Sequence, residues 1–91
     1  MFMYYVYIIY SKKLNKKYIG YTKNLSNRLE EHNRDKSSFT SKTSDWKLLY
    51  YEVFKSELDA RREELFLKTG KGRERLKYLL EDTINNIGEF A

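Results

Sequence analysis

Residues 4–10 read Tyr-Tyr-Val-Tyr-Ile-Ile-Tyr, so every residue of this run is aromatic or β-branched. Such side chains favour extended strands, and the run has no charged residue that would mark a solvent-facing side. We therefore predict a strand that is packed on both of its faces.

A second strand follows closely. Residues 11–17 are polar and include four lysines, and strand character returns at Tyr18–Thr22. This pattern predicts an antiparallel hairpin. If the chain turns around residues 11–14, Tyr7 lies directly opposite Tyr18, and directly opposed residues project from the same face of the sheet.

The rest of the chain alternates between helical and extended patterns. Asn24 is a good N-cap for a helix that runs to about Arg34, and Ser56 begins a second helix that ends near Thr69. Between them we predict a loop over 35–45 and a strand over 46–54, which begins with a core residue, Trp46. A third helix has its apolar face at Leu76, Leu79, Leu80, Thr83, Ile84 and Ile87. The order ββαβαα predicts an α/β (α+β) fold, a three-stranded antiparallel sheet flanked by helices.

Length and composition restrict the class of protein. Ninety-one residues, 41% of them hydrophobic, predict one compact domain over 1–91. Cysteine is absent and His32 is the only histidine, which excludes disulfide scaffolds, zinc ribbons and cysteine nucleophiles. A metal ion would have to be a hard, magnesium-like cation with oxygen ligands.

The charge is unevenly distributed. The net charge is +5, with +6 in residues 1–55 and −1 in residues 56–91, so the first half favours an anionic partner. Its lysines form either a solvated surface or a track for a nucleic-acid backbone. The candidates for such contacts are Lys12, Lys13, Lys16, Lys17, Lys23 and Lys42.

The apolar run at the N-terminus stops by Tyr10, too short for a membrane span, so we expect a cytoplasmic protein.

Several stretches recur in the order and at the spacing of one known family. They are Tyr5-Val6-Tyr7, Tyr18-Ile19-Gly20-Tyr21-Thr22, the segment Asn24–Asn33 with Arg28 and His32, Phe39-Thr40-Ser41-Lys42, Trp46–Glu52, and Glu64-Leu65-Phe66-Leu67-Lys68. With these motifs, residues 4 to about 80 resemble the GIY-YIG nuclease family. The detail is similar to its small single-domain bacterial branch, which resembles the nuclease domain of the excision-repair endonuclease. The sequence departs from the family pattern in two respects: Tyr5-Val6 replaces Gly-Ile, and Glu63 stands where many relatives have arginine.

The resemblance implies an endonuclease that hydrolyses DNA phosphodiester bonds with one Mg²⁺ or Mn²⁺ ion, in repair or recombination. The implied catalytic residues are Tyr7, Tyr18, Arg28, His32 and Glu64. Glu64 would also hold the metal ion, with Glu63 as the competing carboxylate, and Gly20 would keep space free near the phosphate. One tyrosine would take the proton of the attacking water and the other would orient it for the transfer. The sequence does not assign these two roles to Tyr7 and Tyr18. Neither Asn85 nor Asn86 is assigned to the asparagine found in some relatives.

Physical chemistry explains why these residue types would suit the reaction. Arg28 and His32 are one helical turn apart, so we expect both to clamp one phosphate. A tyrosine near a divalent cation and Arg28 would have its ionised form favoured, because opposite charge stabilises a phenolate.

Two other functions fit the same pattern. The alternatives to a nuclease are a non-catalytic nucleic-acid-binding module and a protein-interaction domain of the same fold. A protein partner that confers specificity is compatible with the nuclease interpretation, because backbone contacts carry no sequence preference. Oligomeric state stays open.

Overall fold

The computed structural model describes residues 2–34 and 42–86, which form three strands and four helices. In chain order they are β1 (Tyr4–Ser11), β2 (Lys16–Thr22), α1 (Leu25–Asn33), β3 (Lys47–Phe54), α2 (Glu57–Leu67), α3 (Gly70–Leu79) and α4 (Glu81–Asn85). The predicted antiparallel α+β fold is confirmed. The motif residues Phe39–Ser41 and most of the predicted 35–45 loop lie outside the described residues.

β1 is the central strand of the sheet, whose order is β2-β1-β3 with both pairings antiparallel. Val6, Tyr7, Ile8 and Ile9 are each at most 1% exposed. A central strand that carries helices on both faces has no solvent-facing side, which is why this segment lacks alternation. The prediction of a strand packed on both faces is confirmed.

The predicted register of the β1–β2 hairpin is wrong by two residues. Gly20 lies opposite Tyr7, and Tyr18 lies opposite Ile9. The turn is centred later than residues 11–14, because Asn15 adopts a left-handed conformation (φ 52°) and its N–H donates to the Lys12 carbonyl. A shift of two residues preserves the face, since side chains alternate with a period of two. Tyr7 and Tyr18 still share one side of the sheet.

Each face of the sheet has its own core. On the α1 side, Tyr7, Ile9 and Trp46 pack together with Leu25 and Leu29. The predicted core position of Trp46 is confirmed, as it is 2% exposed. On the other face, α2 and α3 pack against β1 in the second core, which consists of Val6, Ile8, Ala60, Leu67, Leu76 and Leu80.

The predicted helix caps are confirmed, and the predicted third helix is only partly right. Asn24 and Ser56 cap α1 and α2 through their side chains. The continuous helix predicted through Leu76 and Ile84 instead breaks at Leu80, where α3 ends and α4 begins. The break keeps Leu80 in the core and leaves Leu79 42% exposed, although the apolar periodicity assigned both to one face. Ile87 lies outside the described residues.

Gly72 lies inside α3, where close packing excludes a side chain. A Cβ at this position would collide with the backbone of Phe66 and Leu67 at the end of α2. The glycine therefore allows α3 to start directly against α2, and Thr69 caps it by accepting a hydrogen bond from the Gly72 N–H.

Candidate active site

Tyr7 and His32 form a buried hydrogen-bonded pair. The Tyr7 hydroxyl lies 2.6 Å from Nε2 of His32, and the two residues are 1% and 0% exposed. Tyr7 comes from the central strand, and His32 comes from the last turn of α1, which packs on that face of the sheet. Two predicted site residues 25 positions apart are thus in direct contact.

Burial sets the protonation of both members of this pair. It raises the pKa of Tyr7 to about 12, although the charge and hydrogen bonding of Arg28 oppose the rise. Burial and, to a smaller extent, the positive charge of Arg28 lower the pKa of His32 to about 4. Near pH 7 the phenol and the imidazole are both neutral. Within this cluster the desolvation of Tyr7 outweighs the effect of Arg28. The expectation of a favoured phenolate also required a divalent cation nearby, and it stays a prediction.

Tyr18 lies beside this pair on the neighbouring strand. Its ring centroid is 5.0 Å from that of His32, edge to face, and 6.5 Å from that of Tyr7. Unlike Tyr7, it is only partly buried. The two tyrosines predicted to share a surface are therefore neighbours, with Tyr18 nearer to solvent.

Gly20 makes room for the Tyr7 ring. A Cβ at residue 20 would overlap Cζ and the hydroxyl of Tyr7, which lies directly opposite Gly20 on the neighbouring strand β1. The glycine was predicted to keep space free near a phosphate. The structure shows that the space it leaves is occupied by the end of a tyrosine.

Arg28 lies at the edge of the cluster. Its side chain is 31% exposed, Nη1 donates to Oε1 of Glu31 at 3.0 Å, and its charge acts on both Tyr7 and His32. The expectation that Arg28 and His32 clamp one phosphate together is not met. His32 is fully buried and its Nε2 contacts Tyr7, so of the two only Arg28 reaches the surface.

Glu64 comes from α2 and acts on the cluster through its charge, which contributes to the raised pKa of Tyr7. Its side chain is 22% exposed, and Oε2 accepts a hydrogen bond from Lys68 Nζ at 3.1 Å, one turn further along the helix. Glu64 and Lys68, four residues apart, therefore form a salt bridge at the end of α2.

Glu63 has a different environment. It lies beside Glu52 of β3, and Arg75 Nη1 donates to Glu63 Oε2 at 3.4 Å. The hydrogen bond with Glu52 and burial raise the pKa of Glu63 to about 7. The neighbour of Glu64 in sequence therefore belongs to a carboxyl pair that also contacts Tyr50, whose hydroxyl donates to Glu52 at 2.8 Å.

The side chains around Glu64 offer few protein ligands for a divalent ion. In the described part of the chain, no three His, Cys, Asp or Glu side chains come together as a metal-binding group. Glu64 itself is a single, partly exposed carboxylate. Mg²⁺ often uses one or two carboxylates together with waters and substrate oxygens. Glu64 fits that mode, and Lys68 would have to release it.

The six lysines predicted to contact nucleic acid do not all line the same groove. Lys16 and Lys17 line a groove beside Tyr18, whereas Lys23 lines another groove with Tyr5 and Tyr51. Lys12, Lys13 and Lys42 are exposed and line neither groove. The first groove also contains three residues that were not predicted from the sequence: Lys68, Arg73 and Lys77. A sum of charge along the chain cannot show which residues of α2 and α3 face β2.

None of the helices in residues 2–34 and 42–86 combines the length and apolarity required to traverse a bilayer.

Residues 3–78 match the GIY-YIG catalytic domain. Among relatives, a UPF0213 protein of Staphylococcus haemolyticus is 38% identical over 82 residues, which cover 89% of this chain and 99% of the relative. A UPF0213 protein encoded in the ldhD 5′ region of Pediococcus acidilactici is 42% identical over 65 residues, which cover 68% of this chain and 66% of the relative.

A solved structure agrees with these matches. The solution NMR structure of a UPF0213 protein from Bacillus halodurans is 29% identical, and the alignment covers 85% of this chain and 84% of that one with a TM-score of 0.53. The family match spans most of the chain and both motif-bearing strands. The chain therefore belongs to the GIY-YIG domain family and is related to its small UPF0213 members.

Proposed function

We propose that this protein is a divalent-metal-dependent endonuclease that hydrolyses DNA phosphodiester bonds, with a role in repair or recombination. One observation carries the proposal: Tyr7, Tyr18, Arg28 and His32, from three elements, converge on one side of the sheet, and the charge of Glu64 acts on the same cluster. Hydrolysis needs a proton acceptor for the attacking water and cations for the charge that develops on phosphate. The cluster offers both.

The Tyr7–His32 pair is suited to accept the proton. In the tautomer that carries its proton on Nδ1, His32 accepts the Tyr7 hydroxyl hydrogen at Nε2, and its lowered pKa keeps it neutral near pH 7. As a water proton moves to the Tyr7 oxygen, the Tyr7 proton moves to His32. An isolated phenolate with a pKa of about 12 therefore need not form. Burial and Arg28 disfavour the imidazolium that takes its place, so the negative charge of the bound phosphate would have to stabilise it. Tyr18, nearer to solvent, would orient the water.

Arg28 would contact the phosphate. Its guanidinium is partly exposed and is held by Glu31, and a guanidinium offers a fixed fork of donors to phosphoryl oxygens. Its position beside Tyr7 brings positive charge close to the site of proton transfer.

Glu64 would hold the Mg²⁺ or Mn²⁺ ion, since its charge acts on Tyr7, whereas Glu63 is engaged by Glu52 and Arg75. When bound, the ion would act as a Lewis acid that stabilises charge on the departing oxygen. Lys68 donates to Oε2 of this carboxylate, so the lysine and the ion would compete for Glu64.

The test is a nicking assay on supercoiled plasmid and on branched, single-stranded and RNA substrates, with Mg²⁺ or Mn²⁺. We expect metal-dependent cleavage that falls at least ~100-fold in Glu64→Ala and in Tyr18→Phe while binding persists. Glu74→Ala and Tyr10→Phe are matched controls outside the cluster and should cleave normally. Wild-type protein that binds but never cleaves would be a non-catalytic nucleic-acid-binding module. Wild-type protein that shows no salt-sensitive binding would favour a protein-interaction domain.

A further inference from the structure

A groove of about 510 Å³ lies between the edge strand β2, the C-cap residue of α2 and the facing part of α3. We call it the basic groove. Its polar wall consists of Lys16, Lys17, Tyr18, Lys68, Arg73 and Lys77, and Ile19 and Leu76 complete the lining. Five of these eight residues are cationic and none is acidic. The first half and the second half of the chain therefore contribute to one positively charged surface.

Arg73 in the basic groove differs from the other arginines of the described residues, which pair with carboxylates, whereas lysines without an ion pair, such as Lys47 and Lys55, also occur outside the groove. Outside the groove, Arg28, Arg34, Arg61, Arg62 and Arg75 each lie within 4.0 Å of a carboxylate. Within it only Lys68 has such a partner, and Lys16, Lys17, Arg73 and Lys77 form none of the ion pairs found in residues 2–34 and 42–86. Like charges gathered without carboxylates repel one another, and an anionic ligand relieves that repulsion.

The basic groove adjoins the candidate active site. Tyr18 belongs to both, because its ring contacts His32 and its side chain lines the groove. Lys68 connects them a second time through its hydrogen bond to Glu64. A linear polyanion bound at the candidate active site would reach the basic groove by way of Tyr18, which borders both.

We infer that the basic groove binds the sugar-phosphate backbone of the substrate strand next to the bond that is cut, with Arg73 and Lys77 each neutralising one phosphate. This inference rests on the proposed function and extends it by assigning residues of α3 to substrate binding. Contacts of this kind fix the position of the strand without reading its bases.

Salt dependence of binding tests the inference. In metal-free buffer, where no cleavage competes with binding, we expect Arg73→Gln/Lys77→Gln to bind DNA more weakly than wild type. The slope of log K against log salt should become shallower by ~1.8 for duplex or ~1.4 for a single strand, and the reduction should be similar for unrelated DNA sequences. The control is Lys47→Gln/Lys55→Gln, which also removes two positive charges, but from positions that do not line the groove. It should leave the slope within error of wild type.

The outcomes separate this inference from the proposed function. Equal slopes for the groove pair and the control pair overturn the inference, whether or not the wild type cleaves. A lower slope for the groove pair alone supports it even if no cleavage is ever observed, in which case only the catalytic proposal fails. Lys16→Gln/Lys17→Gln, at exposed positions of β2, gives the same test if the α3 variant does not fold, and an unchanged slope there counts against the inference equally.

Discussion

The Tyr7 hydroxyl and Nε2 of His32 lie 2.6 Å apart in a part of the molecule where neither residue is more than 1% exposed. The contact joins the central strand to the end of α1, so it belongs to the core as well as to the candidate site. Because both groups are polar and buried, each loses a hydrogen-bond partner if the other is removed, which costs ~1–3 kcal/mol of stability. Variants here must therefore be tested for folding as well as for cleavage.

The first prediction concerns acid stability. The pKa of His32 is about 4 in the fold against an ordinary 6.5, so between these pH values the unfolded chain binds a proton that the folded chain does not. The unfolding free energy should fall as the pH drops from 6.5 to 4, by about 3 kcal/mol from this group alone, and this contribution should be constant above pH 7. Urea unfolding at pH 7.5 and 4.5 should show a smaller difference in His32→Gln than in wild type. Equal differences would contradict the prediction.

The second prediction concerns Gly20. In Gly20→Ala the new Cβ overlaps the end of the Tyr7 ring, which has little space to move because it is buried. We expect a loss of ~1–3 kcal/mol in unfolding free energy and displacement of the Tyr7 hydroxyl from His32. Gly70→Ala is the control, since no atom lies within 4 Å of a Cβ there. A Gly20→Ala protein as stable and as active as Gly70→Ala would show that the contact is not limiting.

The third prediction concerns Glu63, where the sign is opposite to that of His32. Its pKa is raised from 4.5 to about 7, so the folded chain holds a proton that the unfolded chain has released, and stability falls as the pH rises through this window. Glu63→Gln removes the repulsion with Glu52 and should increase the unfolding free energy at pH 8 by on the order of 1 kcal/mol, with a smaller effect at pH 5. Glu74→Gln, at an exposed position of α3, should change neither. Destabilisation of Glu63→Gln at pH 8 would mean that the contact with Arg75 outweighs the repulsion.

The fourth prediction concerns metal binding. Lys68 holds Glu64 at 3.1 Å and competes with a cation for the carboxylate. Because a partly exposed helix pair contributes ~0.2–1 kcal/mol, Lys68→Gln should lower the half-saturating Mg²⁺ concentration for cleavage a few-fold at saturating DNA. Arg73→Gln removes a charge from the same groove without releasing Glu64, so it should change the half-saturating Mg²⁺ concentration less. Equal shifts in the two variants would point to a general field effect.

The strand and helix pattern was predictable because its causes are local. The apolar run at residues 4–10 fitted a central strand, and the side chains of Asn24 and Ser56 satisfied the first turns of α1 and α2 as predicted. The hairpin register was not predictable, because it depended on the left-handed conformation of Asn15, and the polar residues before it can also form a turn. The break at Leu80 has no proline or glycine to mark it; it follows from packing against the sheet.

The amino-acid sequence by itself determined the order of elements, the position of the motif residues on them and the family, since these depend on spacing along the chain. Tertiary structure alone decided which groups are charged and which surfaces are continuous. His32 is neutral because the fold buries it beside Arg28, and Glu63 and Glu64 differ because adjacent residues on α2 face different neighbours. Lys17 and Lys77, far apart in the sequence, line one groove. Desolvation and charge proximity act through space, and only the folded chain brings these groups within range of one another.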